Sequence, residues 1–252
     1  MSKPQPAALY IAIAFSLGLA ACGKGSKDPA EPPPPTLKAA PPSTTADAPE
    51  ASFADEADTR QATDAKAAAF NLADGPDVCF RAIAKHFGAD TKVSEITSFF
   101  SVGKEIDAGD TQPAGEMTTC TVDYQDPQDS RKLLRSRLDL ESGEFSAPSP
   151  VEITVAGGNA ADFKLEDYVI PLSKVDAAAL TSVMEAQKSK LSGVYSRYVW
   201  SGVRLSAPGP FSNTHTLRLD LDGRLASNDI KEGGYASVSI DGKKITANHL
   251  MP

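Results

Sequence analysis

The chain has 252 residues, and its 25 Lys and Arg against 33 Asp and Glu give a formal charge of -8. That balance disfavours nucleic-acid binding, which needs clustered base. With 41% hydrophobic residues, 18 Gly and 19 Pro, the chain is neither a polytopic membrane protein nor wholly disordered, and it can bury a core as one domain or two small ones.

The apolar run from Ala7 to Ala21 follows a short basic start at Lys3 and contains Leu9, Ile11, Ile13, Phe15, Leu17 and Leu19. Its length suits a secretory leader better than the ~20 residues of a spanning helix with flanks, so residues 1–21 read as a signal peptide. The run ends Leu19-Ala20-Ala21-Cys22, which resembles the lipobox of bacterial lipoproteins. The resemblance implies cleavage before Cys22 and lipidation of its thiol. Because Gly23 follows rather than aspartate, it also implies anchoring at the outer membrane, facing the periplasm, in a cell with two membranes. The alternative is an ordinary small-residue cleavage that leaves Cys22 as a thiol. No polybasic stretch assists the anchor, so the acyl chains would hold the protein alone.

Residues 22–73 form the tether. From Gly23 to Glu50 it carries Pro29, the run Pro32 to Pro35, Pro41, Pro42 and Pro49, with almost no large apolar side chain. Such a composition cannot bury a core and reads as a polyproline-like spacer, or as a proline-rich recognition ligand. Ala51 to Leu72 is Ala-rich with few anchors beyond Phe53, Phe70 and Leu72, which suits a marginal helix or linker.

The folded region is predicted over residues 74–252. Asp74-Gly75-Pro76 reads as a helix start, Val78, Cys79, Ala82, Ile83 and Phe87 recur at helical steps, and Gly88 stops the helix with Cys79 facing the core. Asp90 opens a second helical pattern through Val93, Ile96 and Phe99 or Phe100. Beyond a loop from Val102 to Glu116 the period changes to two, and Thr118, Cys120, Val122 and Tyr124 share one strand face. If Cys22 goes to lipid, Cys79 and Cys120 are left as an even pair in an oxidising space, so one disulfide is predicted; two separately buried thiols are the alternative.

Strand-like runs follow at Leu133 to Glu141, Glu144 to Ala147, Val151 to Ala156 and Phe163 to Pro171, separated by turn residues. Ser173 and Asp176 then cap a helix through Ala177, Leu180, Val183, Met184 and Leu191, closed by Gly193. A long strand from Val194 to Leu205, an alternating strand around His215 to Leu221 and a hairpin at Asp241-Gly242 complete the chain.

The fold class is therefore α+β, an antiparallel sheet or sheets with helices on one face. The order of helix then strands occurs twice, so a tandem pair of repeats over 74–172 and 173–252 is one reading. Arg137-Leu138-Asp139-Leu140 echoes Arg218-Leu219-Asp220-Leu221 and is compatible with duplication. The arrangement resembles in topology the tandem helix-plus-four-strand β-lactamase inhibitor proteins, with no inhibitor motif carried over.

No nucleophile elbow, zinc-protease helix or phosphate loop is present in the sequence, and His86, His215 and His249 each stand without a catalytic partner in sequence. Asp220, Asp222 and Gly223 match part of a calcium loop, but Arg218 would occupy the first ligand position, and a cation cannot coordinate calcium. No catalytic residue, metal site or cofactor is predicted. The aromatic strand supplies the candidate contact surface: alternation puts Tyr198 and Trp200 on one face and Tyr195 and Arg197 on the other, with Trp200 packing as core the competing reading. These features point to a non-catalytic periplasmic binding protein that resembles immunity or inhibitor lipoproteins, with a basic toxin or hydrolase as its partner. An outer-membrane assembly or envelope maintenance factor, and an enzyme with a dispersed site, are the rival readings.

Overall fold

The computed structural model describes residues 8–9, 70–156, 159–209 and 212–252. The lipobox, the proline-rich tether and the Ala-rich stretch as far as residue 69 lie outside the described residues. The fold is mixed α+β and mostly sheet. Helix α1 (Val78–Phe87) precedes β2 (Lys92–Phe100), β3 (Met117–Gln125), β4 (Leu133–Arg137) and β5 (Ser149–Val151). Helix α2 (Leu180–Val194) precedes β8 (Tyr195–Ser206), β9 (Thr216–Leu225), β10 (Lys231–Ser239) and β11 (Ile245–His249). A separate two-residue pairing joins β1 (Ala8–Leu9) to β6 (Val155–Ala156).

The main sheet has nine antiparallel strands in the order β11-β10-β9-β8-β2-β3-β4-β5, and β7 (Ile170–Pro171) pairs with β2 beyond the end of β8. The order is symmetrical about the central β2/β8 pair, with one helix-then-four-strands set on each side. The two Arg-Leu-Asp-Leu strings do not mark that symmetry. The first begins at the end of β4, third strand of its set, and the second lies within β9, second strand of its set.

Directly paired residues of an antiparallel sheet share a face, so the register identifies the inner layer. Cys120, Ser98, Val203, Leu219 and Ala236 form one row from β3 to β10, and each is 0% exposed. Both helices pack on this side. Val78, Cys79 and Ile83 of α1 and Leu180, Val183 and Leu191 of α2 join the sheet residues in one continuous core. The Ser98 hydroxyl, buried in that row, donates to the Val203 carbonyl at 2.8 Å. Cys79 and Cys120 form a disulfide across the α1–β3 contact, with Cα atoms 5.7 Å apart, as their inward positions predicted.

Three expectations require correction. The stretch from Asp90 is not a helix but strand β2, and the register shift between Val93 and Glu95 changes its inward phase. The buried residues Val93, Ile96 and Phe100 thereby acquire helix-like spacing in a bulged strand rich in β-branched and aromatic residues. Helix α2 starts at Leu180 instead of near Ser173, with Asp176 accepting from the Ala179 amide at 3.1 Å while Ser173 donates to Asp90. It also runs through Gly193 to Val194. The run from Phe163 is mainly 3-10 turn over Leu165–Tyr168, and only Ile170–Pro171 of it pairs in the sheet.

The terminal hairpin is as predicted. Gly242 adopts a φ of 68°, which L side chains rarely adopt, and a Cβ there would also meet Ala179 at 2.6 Å. The turn is thereby seated against the start of α2.

Candidate functional site

Strand β8 carries the aromatic residues singled out from the sequence, but register shifts between Tyr195 and Arg197 and between Trp200 and Gly202 change their phase. Tyr195, Tyr198 and Trp200 therefore pair with Leu225, Gly223 and Leu221 respectively and all turn inward. Tyr195 is 2% exposed and donates its hydroxyl to the Leu250 carbonyl at 2.8 Å. Its burial, with Glu232 and Asp222 nearby, pushes its phenol pKa up. Trp200 is 8% exposed and meets Tyr198 edge-on, with ring centroids 6.5 Å apart. Tyr195 and Trp200 thus belong to the core and Tyr198 is half-buried, leaving Arg197 as the member of the four on the opposite face. Its guanidinium pairs with Asp229 at 2.9 Å.

Neither α1 nor α2 packs on that opposite face. Six of the eight arginines among the described residues lie on it: Arg135, Arg137, Arg197, Arg204, Arg218 and Arg224. Outward alternation along β4, β8 and β9 produces this concentration. The register lines up Arg137, Thr121, Thr97, Arg204, Arg218 and Ser237 as one row across six strands. The next row holds Thr119, Phe99, Gly202, Asp220, Tyr235 and His249.

These rows are laced together by charge and rings. Arg204 donates from Nε and Nη2 to the two Asp220 oxygens at 2.8 and 2.9 Å, and Arg218 donates from Nε to the same carboxylate at 2.7 Å. Arg218 lies 3.8 Å over the Tyr235 ring, whose other neighbour is His249, and Arg204 lies 5.6 Å over Phe99. Such cation–π contacts hold a guanidinium in place without consuming all its donors. Gly202 makes room for this arrangement, since a Cβ there would come within 3.0 Å of both the Phe99 ring and an Asp220 oxygen. Phe99 remains 37% exposed.

Two loops cover the rest of the face. The loop after β2 buries Ile106, whose carbonyl accepts from Arg224 Nε at 3.0 Å, and Asp107 receives Lys231 at 2.6 Å. Asp110 shapes this loop by accepting from the Val102 and Gly103 amides and the Ser101 hydroxyl, contacts that lower its pKa. At the other side, Leu133 joins Leu165, Val169 and Phe163 in a smaller apolar cluster. Among the described residues, the arginine row lies between these covers, with Arg137 exposed and Arg204 and Arg218 partly exposed.

Near that cluster Arg135 grips the buried Asp123 through two bonds of 2.6 Å. Glu95 stands directly beside Asp123 in register. Burial, then the Asp123 charge, pushes the Glu95 carboxyl above the ordinary glutamate value, although Arg135 and Arg204 oppose the shift. An acid whose pKa is higher folded than unfolded keeps its proton longer in the fold, so its ionisation weakens the fold as pH rises above the unfolded value. Glu95→Gln is therefore expected to stabilise the protein at neutral pH, with the gain vanishing by about pH 3.5, where both states are protonated. Urea denaturation at the two pH values checks this, and an equal effect at both would exclude the assignment.

The histidines have other surroundings. His86 packs against Phe87 and Phe145, His249 against Tyr235, and His215 Nε2 lies 3.2 Å from the Tyr168 carbonyl with its pKa lowered by burial. Among the described residues no group of three or more His, Cys, Asp or Glu side chains is placed to hold a metal. No family model, curated protein or solved structure matches this chain.

Sequence reasoning missed the arginine row and Phe99. The outward alternation at Thr216, Arg218 and Asp220 was a visible signal, but lining these residues up with Arg204 and Arg137 requires the strand order and register.

Proposed function

We propose that this protein is a lipid-anchored, non-catalytic binding protein of the bacterial envelope, of the inhibitor or immunity type, which meets a protein partner through the sheet face opposite α1 and α2. One observation carries the reading: among the described residues, Phe99 is exposed between two packed loops on the face opposite α1 and α2, with a row of arginines beside it. Exposed aromatic and arginine side chains, held in place by their neighbours, are the residue types that dominate protein interfaces.

The anchor rests on Leu19-Ala20-Ala21-Cys22, with Gly23 favouring the outer membrane and a periplasm-facing domain. Cleavage before Cys22 would remove β1 along with the leader. The nine-stranded sheet does not include β1, so its ladder would remain complete. Cys22→Ala is expected to abolish metabolic palmitate labelling and leave an uncleaved or unanchored product. Persistent labelling of that variant would exclude Cys22 as the acceptor.

The binding reading is tested in the lipidated protein in its own cells by a photo-reactive residue placed at Phe99 and, separately, at Lys188 on α2. Discrete cross-linking to one protein from position 99 and not from 188 is expected. Folded protein that cross-links from neither position would overturn the reading. A net charge of -8 favours long-range approach of a basic protein such as a toxin or hydrolase, but the open face has a different local character.

A further inference from the structure

The row Arg137, Thr121, Thr97, Arg204, Arg218 and Ser237 presents guanidinium and hydroxyl donors from six adjacent strands. At ~4.8 Å between strands it extends for about 24 Å, the length of seven or eight extended residues. Its three guanidinium groups are met by one paired carboxylate, Asp220, with Glu95 also acting on Arg204. Asp220 serves both Arg204 and Arg218, and Arg137 makes no ion pair among the described residues. The bonds to Asp220 use Nε and Nη2 of Arg204 but only Nε of Arg218, so terminal nitrogens remain for another acceptor. The Arg204 and Arg218 side chains are 30% and 36% exposed, beside the exposed Phe99.

We propose that this row is a docking track for an extended acidic segment of a protein partner, with carboxylates bound by Arg137, Arg204 and Arg218 and an apolar side chain seated on Phe99. The inference deepens the protein-binding reading above and rests on it. Guanidinium groups suit carboxylates because their planar donors match two oxygens at once. A long free polyanion is disfavoured by the chain's -8 charge, which repels diffuse negative charge at a distance. A short segment mixing carboxylates with apolar side chains uses both rows and presents less total charge. Long-range attraction of a basic partner is compatible with this track, since the docking segment needs to be acidic only where it meets the row.

The test uses the full lipidated protein in detergent and fluorescence anisotropy with labelled peptides of about eight residues, one alternating Glu with Leu and one alternating Lys with Leu. Heparin serves as the polyanion arm. The Glu peptide is expected to bind and the Lys peptide not to bind. Arg137→Ala and Phe99→Ala should each weaken binding by about tenfold. Arg137 is exposed and without an ion pair among the described residues, so its variant should melt like the parent. Equal binding of the two peptides, no binding of the Glu peptide, or indifference to Arg137→Ala overturns the track. Heparin bound through the same residues in place of the Glu peptide overturns it in favour of a polyanionic ligand. The cross-linking experiment separates the two failures: a discrete cross-link with a failed peptide test leaves the binding reading standing, whereas no cross-link from either position removes its basis.

Discussion

Replacing Cys79 and Cys120 together by alanine should destabilise the fold by about 4 kcal/mol and lower its melting temperature by about 8–16 °C. The bond joins residues separated by 41 positions, and opening that loop returns chain entropy to the unfolded state. The site also supplies packing, because both cysteines are fully buried where α1 meets β3. Thermal melts of the parent with and without reductant, beside the double variant, separate the two contributions. Reductant should reproduce most of the loss if chain constraint dominates. A double variant that melts with the oxidised parent would mean that the bond contributes no stability.

Trp200→Ala is expected to cost about 3–5 kcal/mol, as truncation of a buried large aromatic does. Arg197→Ala, three residues earlier on the same strand, should change stability by no more than about 1 kcal/mol, because its ion pair with Asp229 is exposed. The contrast follows from the unbroken alternation between the two bulges, which puts Trp200 inward against Leu221 and Arg197 outward. Far-UV circular dichroism in urea is the appropriate measurement, since Trp200 is the single tryptophan and its replacement removes the fluorescence signal. If Trp200→Ala melts like the parent while weakening partner capture, the side chain is an interface residue and its place in the core is refuted.

The same bulges explain where sequence reading succeeded and where it stopped. Helix α1 was legible because Val78, Cys79, Ile83 and Phe87 keep helical spacing up to Gly88, and β3 because Cys120, Val122 and Tyr124 alternate without interruption. Strand β2 was misread as a helix and β8 was misphased where an extra residue breaks the alternation. At the binding face, Arg218 was visible as an outward residue, but its partnership with Arg204 depends on cross-strand register, and the continuation to Arg137 depends on the β2/β8 junction. Local periodicity encodes neither. The charge balance misled in a related way: a total of -8 is silent about arginines gathered on one face.

The central β2/β8 pair also bears on how the protein folds as it is made. Ser98 bonds to Val203, 105 positions away, so the junction closes late for a chain that emerges from its N-terminal end. Until β8 arrives, β2 presents a bare edge able to recruit another chain, a known route to aggregation. The disulfide lies wholly within the part that emerges first. It is therefore able to form before α2 and β8 appear, holding α1 against β3 while the exposed edge waits for its proper strand.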